Sequence, residues 1–169
     1  MLKIFTILKK IISYFQVIDI YENTGSCLKF SEKGYRLNIY NSLNKIKDKK
    51  ILEYFARFKN KQERFSMKQT FLVLTKKNVF VSSGWMSHRK KWHIEEIDKK
   101  INFQNAIILF DFITLKEKRN RGYYTKLLSL INKRFKNKKL IIYTLRKNIL
   151  SAKAIKKSGF IYKKTLKKL

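Results

Sequence analysis

Apolar positions recur along this chain at helical and at strand spacing, and the pattern changes to strands from Thr70. Ile4, Leu8, Ile11, Phe15 and Ile18 fall three or four apart, which predicts an amphipathic helix over about 2–15, with Lys9 and Lys10 on its wet side. Such a helix packs on the domain or, alternatively, lies on an anionic membrane. CLKF and YRLNIY flank Ser31-Glu32-Lys33-Gly34 and predict a hairpin over 27–40, with the glycine supplying a positive φ. A helix is expected at about 48–58, capped by Asp48, with Ile51, Phe55 and Phe58 on one side. From Thr70 the period drops to two. TFLVLT and VFVSSGWM, separated by Lys76-Lys77-Asn78, predict an antiparallel hairpin. A strand at about 91–97 places Trp92, Ile94 and Glu96 on one face and Glu95 on the other. AIILFDFITL (106–115) reads as a central strand covered on both sides, with Asp111 in its middle.

Polar, glycine-bearing KEKRNRGYY then leads into Tyr124, Leu127, Leu128, Ile131 and Phe135, an amphipathic helix ending at Lys136-Asn137-Lys138-Lys139. LIIYTL (140–145) is a strand, 149–158 a short helix, and FIYKKTL (160–166) a last strand entered through Gly159. This order predicts an α/β or α+β sheet with covered faces. No linker or internal repeat interrupts it, so one domain over 1–169 is expected, with 1–66 on one side of a core at 70–166.

Composition alters this picture in one respect. The chain has 169 residues, 44% of them hydrophobic and 14% aromatic, enough for a real core. Its formal net charge of +30 taken alone suggests a polyanion partner. The lysines are nevertheless spread over nearly every segment, and the abundance of Lys, Ile, Asn, Phe and Tyr beside 5 Gly and 0 Pro is what A/T-rich coding produces. Nucleic acid is thus expected only through non-specific, salt-dependent charge. Cys27 alone excludes an internal disulfide, and with His88 and His93 it is too little for a usual zinc site, so no metal is expected. Lys3, Lys9 and Lys10 interrupt the apolar stretch to Ile20, which fits neither a secretory leader nor a membrane span. A cytoplasmic protein, monomeric or homodimeric, is the expectation.

The chemistry is concentrated in Arg119-Asn120-Arg121-Gly122-Tyr123-Tyr124. A buried strand that ends in a basic turn at a helix N-terminus presents free N–H groups and a positive dipole end, a cradle for pyrophosphate. At 122 a Cβ would hold a phosphate off the backbone, hence glycine. Arg119 and Gly122 stand at the first two fixed places of Gln/Arg-x-x-Gly-x-Gly/Ala, and Tyr124 replaces the third. Asn148, Ser151, Gly159 and Phe160 match Asn-x-x-Ser/Ala-x-x-x-Tyr-x-x-x-Gly-Phe. On these two motifs the region from about Phe71 to Leu166 resembles the GNAT acyltransferases.

The resemblance implies a twisted, largely antiparallel sheet with one parallel splay, helices on both faces, and transfer of acetyl from acetyl-CoA to an amine. It implies pantetheine pairing with backbone at Ile113 and Leu115, and pyrophosphate on the amides of Arg121, Gly122, Tyr123, Tyr124 and Thr125 with Arg119 and the Thr125 hydroxyl assisting. Asn148, with Ser151 beside it in the motif, would bond the arm, and Lys156 or Lys157 either meets the nucleotide phosphates or is simply solvated. The amine needs a base, and Glu96 and Asp111 are the candidates, because a carboxylate on a buried strand has a raised pKa. The family's general-acid tyrosine falls at Ile155, which cannot donate, so Tyr143, Tyr123, Tyr124 or solvent must serve. Trp85 and Trp92 belong to the acceptor side or to the core, and His88 and His93 to the surface or the substrate's edge. The acceptor would be a small-molecule amine: a loose similarity to GNAT chains of surface-polysaccharide biosynthesis implies an amino sugar, and the basic field equally suits an anionic nucleotide-sugar or an acidic peptide. The alternative is a basic module that kept this scaffold without chemistry and binds nucleic acid or an anionic membrane.

Overall fold

The computed structural model describes residues 16–25, 31–56 and 61–168; the expected helix over 2–15 and the CLKF arm lie outside them. Nine strands are described: β1 (Val17–Asn23), β2 (Tyr35–Tyr40), β3 (Thr70–Lys76), β4 (Val79–Ser87), β5 (Lys91–Ile94), β6 (Lys99–Asn102), β7 (Ala106–Thr114), β8 (Lys139–Leu145) and β9 (Phe160–Lys167). Four helices accompany them: α1 (Lys49–Phe55), α2 (Lys61–Ser66), α3 (Tyr123–Arg134) and α4 (Ile149–Lys157). Seven strands form one sheet in the order β2-β3-β4-β7-β8-β1-β9, while β5 and β6 pair as a separate ribbon. Every neighbouring pair is antiparallel except β7 and β8. That parallel pair is joined by α3, since a parallel connection needs a crossover.

Strand alternation explains why the apolar runs are nearly continuous. Phe71, Val73, Ile108, Phe110 and Ile141 face one core together with Ile51 and Phe55 of α1. Leu72, Leu74, Ile107, Leu109, Leu140 and Ile142 face the other, beneath Leu127, Leu128 and Ile131 of α3. Both faces are covered, so neither shows a polar stripe. At the start of α1, Asp48 Oδ1 accepts the N–H groups of Lys50 and Ile51 at 2.9 and 3.2 Å, the cap its position predicts.

Three expectations need correction. Ile18, the last position of the helical spacing, lies in a strand, Val17–Asn23, inserted between β8 and β9. The predicted 91–97 strand ends at Ile94: residues 95–97 form a 3-10 turn, and the chain returns through Asp98 at φ 50 into β6. Glu96 is therefore on a turn rather than a strand. Asp111 is not buried. Opposite Gly84 the register advances from Trp85↔Phe110 to Ser83↔Ile113, so two residues of β7 oppose one of β4, a β-bulge with Asp111 at φ 49. The bulge turns its side chain outward, where it is 48% exposed.

The bulge also shapes the sheet. β7 and β8 pair from Ala106↔Lys139 to Leu109↔Ile142 and no further, although the strands run on to Thr114 and Leu145. Pairing stops one residue before the bulged segment begins to bend away. Gly84 makes the bend possible, because a Cβ there would meet the Phe112 ring at 2.4 Å. No helix among the described residues is long and apolar enough to cross a membrane.

Candidate active site

The gap between the diverging strands is a cleft of about 680 Å³, walled by β7, β8, the turn before α3 and the first turn of α4. Gly122 opens α3 at φ 71 with no side-chain cap. The first bond of the helix is Lys126 N–H to Gly122 O at 3.0 Å. Among the described residues the amides of Tyr123, Tyr124 and Thr125 consequently have no acceptor. They stand at the positive end of a twelve-residue helix. The space beside Gly122 is open, with nothing within 4 Å of where a Cβ would be. These are features of an anion cradle.

Arg119 stands at the cleft wall, its Nε donating to Thr114 O at 3.3 Å. Lys118 and Asn120 join it, two lining residues the motif comparison did not single out. Arg121 is exposed and does not line the cleft. Thr125 lines it, and its carbonyl accepts from Ser158 Oγ at 3.1 Å. Tyr124, standing where a small residue was expected, lays its ring 5.4 Å from Phe112 and receives Ser151 Oγ on its hydroxyl at 3.4 Å. Its bulk is thus taken up by the inner wall, where burial pushes its hydroxyl up to about 12. Tyr123 is buried against Tyr35, ring centroids 6.3 Å apart.

The expected backbone contacts at Ile113 and Leu115 are not those facing the gap. Leu115 N–H donates to Val81 O at 3.3 Å, and Ile113 O accepts from Ser82 Oγ at 3.0 Å. Both residues turn their polar edges to β4. By alternation Thr114 turns its own toward the gap. Asn148 caps α4, its Oδ1 accepting from Ser151 N–H at 3.1 Å, and borders the cleft with an amide nitrogen that has no partner among the described residues. Ile155 is on the buried face of α4, and Lys156 and Lys157 are exposed.

A second cavity of about 520 Å³ adjoins the first, and Glu96, Phe110, Asp111 and Tyr143 line both. Here the two candidate bases and one candidate acid come together. Burial raises the Glu96 carboxyl above its ordinary range, and the neighbouring Asp111 charge adds to the rise. Asp111 itself is held by Arg64 Nη2 at 2.6 Å. Trp92 Nε1 donates to Tyr143 Oη at 3.1 Å. The phenol therefore keeps its own proton free to donate, and burial, with the Glu96 charge, holds its pKa well above the usual tyrosine value. The two tryptophans separate: Trp85 is wholly in the core, whereas Trp92 lines the second cavity. His93, also on that wall, pairs with Asp98 at 3.0 Å, and His88 is exposed.

The chain resembles several solved structures. It covers 95% of its length on a conserved protein of unknown function from Staphylococcus epidermidis, with TM-score 0.58 and 17% identity. It covers 87% of its length on an acetyltransferase from the GNAT family of Colwellia psychrerythraea, with TM-score 0.55 and 13% identity. A GCN5-related N-acetyltransferase from Kribbella flavida gives 89%, TM-score 0.52 and 10% identity. The chain spans 64%, 53% and 56% of those three proteins' own lengths. No family model and no curated sequence matches it. At such identities the likeness shows the fold: a GNAT-type mixed sheet, splayed where its two parallel strands part.

Proposed function

We propose, from this fold and its open helix start, that the protein is an N-acyltransferase that moves an acetyl group from acetyl-CoA to an amine. The observation that carries the reading is the uncapped turn at Gly122, whose three unpartnered amides open onto a gap between parted strands. A pyrophosphate is the anion such a cradle suits. Its arm runs along the gap-facing edge at Thr114 toward the wall shared by the two cavities, with the Asn148 amide nitrogen alongside.

The acceptor amine enters from the second cavity and meets the thioester at Glu96. Most amines arrive protonated, so a carboxylate of raised pKa, acting directly or through one water, increases the reactive fraction. Holding the two reactants together supplies much of the rate, because attack becomes effectively unimolecular. Tyr143, protonated and oriented by Trp92, returns a proton to the departing thiolate. It replaces the donor that Ile155 cannot be.

Calorimetry with acetyl-CoA at moderate salt tests the reading. Saturable binding, weakened about tenfold or more by Arg119→Ala and by Gly122→Leu, is the expected result. No heat from acetyl-CoA, with salt-sensitive retention on DNA instead, overturns it.

A further inference from the structure

The two cavities differ in the charges that line them. The wall it shares with the cleft bears only acids, Glu96 and Asp111, whereas the cations Arg64, Arg89, Lys91 and Lys100 line the second cavity alone. Arg89, Lys91 and Lys100 have no acidic partner among the described residues, and the acids opposing them, Glu63 and Glu95, are exposed. In a chain with 41 Lys and Arg, surface cations alone would mean little. Two buried groups make the case.

Arg64 is held on three sides. Nη2 binds Asp111 at 2.6 Å, and the guanidinium carbon lies 5.0 Å from the centre of the Trp85 ring and 5.6 Å from that of Phe110. The side chain is only 22% exposed, and Nη1 is out of water without an acceptor. Gln69, at the same wall and 6% exposed, has Oε1 buried without a donor. Leaving a buried donor or acceptor unmet costs about 1–3 kcal/mol each. A donor and an acceptor on one cavity wall, both unmet, are what a polar ligand satisfies once the two side chains turn toward it.

Resting on the acyl-transfer reading, we infer that the acceptor is an amine that also carries an anionic oxygen group, a carboxylate or a phosphate. Its amino group sits at Glu96 on the shared wall. Its anion takes the Nη1 of Arg64, with Arg89, Lys91 and Lys100 reinforcing from the mouth, and a hydroxyl or amide N–H between the two ends donates to Gln69. Arg64 and Gln69 are then specificity-determining residues. They read the part of the acceptor that does not react.

Release of CoA, measured with matched acceptors, tests this. The pairs are glucosamine 6-phosphate against glucosamine, and an α-amino acid against its amide. In at least one pair the anionic member is expected to have a kcat/KM about tenfold or more above its neutral partner, and the pair that shows it tells phosphate from carboxylate. Arg64→Met is expected to lower that ratio about tenfold, chiefly through KM. Because Arg64 also braces Asp111, the exposed double variant Arg89→Gln/Lys91→Gln, checked by circular dichroism, gives a second reading and is expected to lower the ratio in the same direction. Equal turnover of both members in both pairs by the unaltered protein overturns the acceptor class while acyl transfer stands. Failure to bind acetyl-CoA removes both.

Discussion

At the residue scale, the hydrogen bond from Trp92 to Tyr143 decides what the phenol can do. A hydroxyl that accepts on its oxygen still has a proton to give, and one whose pKa is raised keeps that proton at neutral pH. Tyr143→Phe is therefore expected to lower kcat about 10- to 100-fold while leaving the Kd for acetyl-CoA unchanged, as steady-state rates and calorimetry will show. Stability should fall as well, by about 1–3 kcal/mol, because Trp92 loses its acceptor. Glu96 gives an opposite pairing of effects. Its folded pKa is raised, so the stability linked to it is present at low pH and is lost as pH rises from the ordinary carboxyl range through the folded value. The base role proposed for it has the reverse pH dependence: the group must be ionised, so kcat/KM is expected to fall as pH drops through the same raised value. Glu96→Gln should erase that acid limb, lower kcat/KM about 10²-fold, and leave thermal stability at pH 7 equal or higher. A variant that keeps both its rate and its acid limb assigns the base elsewhere, with Asp111 next.

At the element scale, the bulge in β7 links sequence to cleft. Gly84 is the only residue that fits beneath the Phe112 ring, since a methyl at 2.4 Å has no room unless the ring moves. Gly84→Ala is expected to destabilise by about 1–3 kcal/mol in denaturant unfolding, and Phe112→Leu in the same chain to recover part of it. If Gly84→Ala is neutral, the register at the bulge is wrong. This element also shows what the sequence could and could not reveal. The strand from Ala106, the turn at Gly122 and the helix through Ile131 were legible, because each has a long run of one period and a glycine where the backbone needs it. Asp111 was misread because it stands inside an apolar run read as covered on both sides, and the bulge turns it out of that run. A glycine inside VFVSSGWM was the available signal. β6, only KKIN, has too few apolar positions for a period to show. Glu96 borders both cavities although the strand expected to present it ends two residues earlier. The pair Arg64 and Gln69 was not legible at all: their meeting depends on α2 and the chain after it packing over Trp85 and Phe110, which no local pattern encodes.

At the scale of the whole molecule, the least expected feature is the position of β1. Ile18 continues the apolar spacing that begins at Ile4, so the pattern does not mark a strand over 17–23. Yet β1 pairs with β8 from Ile18↔Leu145 to Glu22↔Ile141 and with β9 from Val17↔Lys167 to Asn23↔Phe160. Its side chains fasten both sides. Asp19 binds Arg146 at 2.9 Å and receives Thr165 Oγ1 at 2.6 Å, and Asn23 Oδ1 accepts Leu140 N–H at 2.8 Å. Ile18, Ile20 and Tyr21 are buried in the two cores. Without β1 no strand of the sheet joins β8 to β9, and β8 is one wall of the cleft. A chain beginning at Thr24 is therefore expected to lose its cooperative thermal transition and its near-ultraviolet circular dichroism, and with them acetyl-CoA binding. Ile20→Ala, a milder cut at the same seam, should cost about 2–5 kcal/mol and leave the fold intact. A chain without residues 1–23 that unfolds cooperatively and still binds acetyl-CoA would contradict this strand order. The N-terminal third thus serves both cavities: Glu63 and Arg64 line the second, and its first described strand supports β8, a wall of the first.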